Sequence, residues 1–191
     1  MDMYLYSKKP KIKKVIQSTV LWVLEIALVV ALAYFVIEYG VEKTTMMDVS
    51  MSGTLEENEK IIINKLAYLR KQPERFDVVV FQQGDSEHGF YKIRRVIGVP
   101  GDVVEIVEGI VYINGEKLEE AIKVEPMRVA GIAQEPVQLQ ENEYFLLGDN
   151  RNSSEDSRFA SVGIIVKKDI VGKAAVRLKP FAIIEKINRE D

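Results

Sequence analysis

The run from Val20 to Ile37 constrains this chain more than any other feature. Only Glu25 is charged among its eighteen residues, and as an α-helix it would extend about 27 Å, close to the hydrocarbon thickness of a bilayer. Lys8, Lys9, Lys11, Lys13 and Lys14 precede it, and a basic flank marks the cytoplasmic side of a span. The sequence therefore predicts a basic cytoplasmic N-terminus over 1–14, a transmembrane signal anchor over 15–41 and an extracytoplasmic domain over 42–191. A removable signal peptide is the rival reading, because Ala31-Leu32-Ala33 has the small-x-small pattern of a cleavage site. Tyr34-Phe35-Val36-Ile37 carries the apolar run past that point, which favours an uncleaved anchor. A charge inside a bilayer is costly, so Glu25 stands out without declaring a role.

Beyond the anchor the pattern changes to short runs of β-branched and aromatic residues. Runs 60–64, 76–81, 90–97, 103–107, 110–113, 143–147 and 174–178 read as strands, with Asn114-Gly115 and Pro100-Gly101-Asp102 as turns. The fold class expected is mostly β, behind one N-terminal transmembrane helix. A small amphipathic helix is expected around Leu66–Leu69, and residues 123–140, with two prolines, read as an extended loop or insertion. From Thr44 onward there are 20 Lys and Arg against 25 Asp and Glu, spread without clustering, so no basic face offers itself to nucleic acid. There are no cysteines, which removes disulfides, thiolate metal sites and cysteine nucleophiles from consideration.

Three separated segments carry a family resemblance. Ser50-Met51-Ser52-Gly53-Thr54-Leu55, Arg94-Arg95-Val96-Ile97-Gly98-Val99-Pro100-Gly101-Asp102, and Gly148-Asp149-Asn150-Arg151-Asn152-Ser153-Ser154-Glu155-Asp156-Ser157-Arg158 resemble the three boxes of bacterial type I signal peptidases. With Phe76–Phe81 and the anchor, the resemblance to the single-anchor, Gram-positive-like kind covers nearly the whole chain. It implies a signal-peptidase-like β domain and a membrane-bound serine endopeptidase that cuts signal peptides from translocated preproteins. It implies a Ser/Lys dyad, signal peptides and membrane lipid as partners, and no metal or other cofactor. Ser50 matches the nucleophile, and Ser154 the serine that hydrogen-bonds the catalytic lysine. Asp149, Asp156 and Arg158 match residues that brace the site, and Met51 and Ile93 those lining the pocket for the small residue before the cut. An apolar pair at 51 and 93 is equally compatible with plain core.

Two departures qualify that match. The general-base lysine of the family falls on Arg94, and a guanidinium with a reference pKa above about 12.5 would add some 7–9 kcal/mol of barrier if it had to give up a proton at neutral pH. Lys92, two residues earlier and on the same face of a strand, is a substitute if a bulge or shifted register brings its amine to Ser50. His88, the one histidine, is a second candidate in a polar run. The other departure is Asp48, where the family has glycine or serine helping to form the oxyanion hole, since a carboxylate aimed there would oppose the developing charge. Either Asp48 points away or the site is altered. The alternative function is a catalytically impaired, signal-peptidase-like factor for peptide binding or assembly. A self-cleaving Ser/Lys regulator is disfavoured by the anchor and the lack of a DNA-binding helix pair.

Overall fold

A computed structural model describes residues 9–83 and 90–184, which divide into a helix and a β unit beginning at Val41. Helix α1 spans Lys9–Gly40. Pro10 lies in its first turn, where a missing N–H breaks no helical bond. Its apolar side chains from Val15 to Tyr39 are exposed all round, which suits an apolar solvent rather than water. An 18-residue window within Lys14–Gly40 reaches a mean hydropathy of 2.7, so the helix is long and apolar enough to cross a membrane. This fits a single-pass membrane protein. The helix stops one residue short of the expected anchor boundary, because Val41 already opens the first strand.

The β unit contains β1 (Val41–Thr45), β2 (Lys60–Asn64), β3 (Val78–Gln83), β4 (Phe90–Gly98), β5 (Val103–Val107), β6 (Ile110–Ile113), β7 (Glu116–Lys117), β8 (Val137–Gln138), β9 (Glu143–Leu147), β10 (Ile165–Val166), β11 (Ile170–Leu178) and β12 (Phe181–Ile183). They form an eight-stranded sheet in the order β1-β2-β11-β3-β4-β9-β10, with β12 on β11, and a four-stranded sheet in the order β7-β6-β5-β8. The mostly β expectation is met. Asn114 and Gly115 both adopt positive φ between β6 and β7, the turn that an Asn-Gly pair favours.

Side chains from these strands build three buried clusters. Strand β4 contributes to each of them, through Ile93, Ile97 and Val96 respectively. Its pairing with β3 runs from Val78↔Arg95 to Gln83↔Phe90 without a register shift. Residues 66–69 are turns rather than the expected helix: Asn64 Oδ1 accepts from the Leu66 N–H at 3.0 Å, and Leu69 remains exposed. A side chain that competes for the backbone so close by favours a turn over a helix. Segment 123–140 holds a 3-10 turn over Gly131–Gln134 and strand β8, and it is firmly packed. Met127, Ala133 and Leu139 are buried in the second cluster, and the Ile132 N–H donates to the Arg158 carbonyl at 2.9 Å.

Candidate active site

Ser50 lies on a turn stabilised by its own backbone, with the N–H groups of Thr54 and Leu55 donating to the Met51 carbonyl at 2.9 and 2.8 Å. Gly53 holds φ at +98° inside that turn. The third sequence box is tied directly to it: Asn150 N–H donates to the Ser50 carbonyl at 2.9 Å, and Asn150 Nδ2 to the Val49 carbonyl at 3.1 Å. Gly148 makes this approach possible. A Cβ there would stand 2.2 Å from Ser154 Oγ and 2.6 Å from the Ser50 carbonyl oxygen.

The bracing residues form two buried networks. Arg95 donates to both oxygens of Asp149 at 2.8 and 2.6 Å, and Thr54 Oγ1 donates to the same carboxylate at 2.6 Å. Asp156 receives Arg158 Nε and NH2 at 2.7 and 2.8 Å and the Gly148 N–H at 3.1 Å. Arg158 in turn donates to the Arg151 carbonyl at 2.6 Å. These bidentate pairs lock β4, the serine turn and the loop after β9 together, since planar forks add directional constraint to charge. Thr54 and Arg95 were not singled out from sequence, although both stand inside recognised boxes.

The reactive end of the site departs from a Ser/Lys arrangement. Ser50 is buried, and its Oγ donates to Asp48 Oδ1, with the two oxygens in very close contact. The Ser50 N–H donates to that oxygen as well, at 3.0 Å. Asp48 therefore points into the site. Its second oxygen receives Arg94 NH2 at 3.1 Å. The Arg94 guanidinium is 1% exposed and spends its other donors on the Ile93 carbonyl at 2.7 Å and the Glu155 carbonyl at 3.1 and 2.9 Å. Burial pushes the Asp48 carboxyl up, but the Ser50 hydroxyl, the Arg94 charge and the Ser50 N–H outweigh it and hold the carboxyl below its ordinary value.

Lys92 is engaged away from Ser50. The unbroken β3–β4 register supplies no bulge to redirect it, and its amine donates to Glu155 Oε2 at 2.7 Å instead of reaching Ser50. That hydrogen bond is the leading reason the Glu155 carboxyl is held below its usual range. His88 lies outside the described residues. Met51 and Ile93, expected at a substrate pocket, are closed into the first core cluster at 0% and 3% exposure. The cleft beside the serine turn is lined instead by Ser52, Gly53, Thr54, Ala121, Ile122, Lys123 and Asp149. Ser154 is buried, and its Oγ is the one buried side-chain polar atom among the described residues without a hydrogen-bond partner. None of the Arg94 hydrogen bonds goes to it, so the lysine partner expected for Ser154 has no counterpart among the described residues.

Comparison with known proteins gives the family. The family model described as signal peptidase, peptidase S26, matches residues 19–179. The chain belongs to the signal peptidase family. A probable signal peptidase I-2 of Synechocystis sp. is 39% identical over 136 residues, covering 69% of this chain and 60% of that protein. A signal peptidase I of Leptolyngbya laminosa is 37% identical, covering 81% of this chain and 77% of its own. One from Bacillus licheniformis is 33% identical, with shares of 86% and 91%. The signal peptidase family is one of serine endopeptidases, so the chemistry to account for is attack by a serine on a peptide carbonyl.

Proposed function

We propose that this chain is a single-anchor signal peptidase I that cleaves signal peptides from translocated preproteins at the outer face of the cytoplasmic membrane, with Ser50 as nucleophile. The observation that carries this reading is the junction of the first and third boxes at Ser50. The serine sits on a turn whose carbonyls are held by Asn150, with its hydroxyl proton already donated to a neighbouring acceptor. That is the geometry nucleophilic catalysis needs, since a serine hydroxyl is a weak nucleophile until its proton has somewhere to go.

Attack of Ser50 Oγ on the carbonyl carbon would give a tetrahedral intermediate. Its collapse expels the amine of the mature protein and leaves the signal peptide as an ester on Ser50, which water then hydrolyses. The Asp149–Arg95–Thr54 and Asp156–Arg158 networks would keep the turn from moving as charge develops. A catalytic lead of this kind depends on positions fixed beforehand.

The full chain in detergent, mixed with a preprotein bearing a signal peptide, tests this reading. Cleavage is expected between signal peptide and mature protein, and Ser50→Ala should lower kcat at least ~10³-fold, as loss of a nucleophile does. Binding of the signal peptide without cleavage by the wild type would instead support a non-catalytic peptide-binding factor.

A further inference from the structure

The two departures from the family pattern, at 48 and 94, meet in space. Arg94 on β4 and Asp48 beside the serine turn are joined by a 3.1 Å ion pair, and the carboxylate so held accepts the proton-bearing Oγ of Ser50. Each residue alone would disable a Ser/Lys site, by removing the amine or by placing a carboxylate at the oxyanion position. Together they put an ionised acceptor on the nucleophile and a permanent cation behind it.

We propose that Asp48 is the proton acceptor for Ser50 in this chain and that Arg94 is its positioning residue, the pair taking over the task the family assigns to a neutral lysine. The proposal rests on the reading of Ser50 as a signal peptidase nucleophile. Three observations support it. Among the described residues the Ser50 hydroxyl donates to Asp48 and to nothing else with a basic lone pair. Lys92, the other candidate, is engaged by Glu155. And the guanidinium of Arg94 has its donors turned to three carbonyl contacts and the Asp48 carboxylate, an arrangement that orients but cannot accept a proton.

The proton and electron accounting closes. As the Ser50 Oγ–C bond forms, the Oγ–H bond breaks, the proton passes to Asp48 Oδ1 and the carbonyl π pair moves onto oxygen. Neutral Asp48 is a poorer acceptor than its anion, so the Ser50 N–H that it held at 3.0 Å becomes available to the new oxyanion. On collapse Asp48 returns the proton to the leaving amine nitrogen as the C–N bond breaks, and is again a carboxylate beside Arg94. For the second half-reaction it accepts a proton from the attacking water and gives it to Ser50 Oγ. A carboxylate is a weaker base than an amine, and the compensation is that it stays ionised across neutral pH.

One charged side chain bears on this carboxylate: Arg94 faces it from β4, while Glu155 meets Arg94 through its backbone carbonyl and has its own carboxylate paired with Lys92. The orphaned Ser154 Oγ supplies a control, since the family resemblance makes it the partner of a lysine amine at position 94.

The test is a pH–rate profile of preprotein cleavage by the full chain in detergent, for wild type, Asp48→Asn, Arg94→Gln, Ser50→Ala and the double variant Asp48→Ser/Arg94→Lys. The wild type is expected to hold its rate from about pH 5 to 8 and to lose it only below the ordinary carboxyl value of 3.8. Asp48→Asn should lower kcat about 100-fold or more with KM unchanged. Arg94→Gln should move the acid limb upward, a readout that a purely structural arginine would not shift. The double variant should exchange the acid limb for one in the range of a desolvated amine, roughly pH 6 to 9. Asp48 is half-exposed, and thermal melting checks that its asparagine variant is folded. Asp48→Asn within about threefold of wild type, or a wild-type limb above about pH 6, overturns the proposal. So does a wild type inactive at every pH beside an active double variant. Cleavage that survives Ser50→Ala overturns the nucleophile assignment, and with it this proposal.

Discussion

Gly53 is committed to a backbone conformation that few residues can take. Its φ of +98° is closed to proline, whose ring holds φ near −65°, and its N–H donates to Glu56 Oε1 at 3.0 Å. A ring at this position is therefore predicted to harm the chain: Gly53→Pro should lower stability by ~3 kcal/mol or more, read as a fall in the melting temperature. Gly53→Ala meets no atom within 4 Å and carries only the left-handed strain of ~1–2 kcal/mol. Asp48 has its own signature in pH. Its folded carboxyl lies below the unfolded value, so its stabilising contribution is complete above about 3.8 and is lost as pH falls through the lower folded value. Denaturation between pH 2 and 5 should show a shallower acid loss in Asp48→Asn than in the wild type. The identity of position 48 was plain in the sequence, but its direction was not. An Asp two residues before a serine either turns back to the serine N–H or faces solvent, and Arg94, far away along the chain, settles which.

At the level of elements, the strands that were legible were those whose residues repeat a β-branched pattern between clear turns. Runs 60–64, 103–107, 110–113 and 143–147 coincide with β2, β5, β6 and β9. Strand β1 was hidden because Val41 continues the apolar run of α1, and the two-residue strands β7, β8 and β10 are too short to show a period. The third box was legible as a brace, and its partners define a prediction. Asp149→Asn leaves Arg95 buried, 8% exposed at its side chain, with a neutral partner. Breaking one half of a buried ion pair costs about 3–5 kcal/mol, and chemical denaturation should register that loss. Thr54→Val should cost less, about 1–3 kcal/mol, because it removes the hydroxyl's bonds to Asp149 and from Arg95 but leaves the ion pair between them in place.

For the whole molecule, the chain's lack of cysteine makes its topology directly measurable. Single cysteines at Lys11 and at Glu141 can be probed in intact cells with a membrane-impermeant maleimide. The proposed orientation requires label at Glu141→Cys and protection of Lys11→Cys until the membrane is opened. The basic flank and the long apolar run made the anchor readable, because a bilayer imposes length and charge asymmetry on whatever crosses it. The altered reactive centre was readable only as two oddities, since their meeting depends on the tertiary fold. Strand β4 explains how such an exchange is tolerated. It is gripped by three separate cores through Ile93, Val96 and Ile97 and by an unslipped ladder with β3, so the backbone under position 94 does not depend on the side chain carried there. Arg94→Lys is therefore expected to melt close to the wild type, a replaceable cartridge in a fixed housing, and a collapsed melting transition would show that the strand does need its guanidinium.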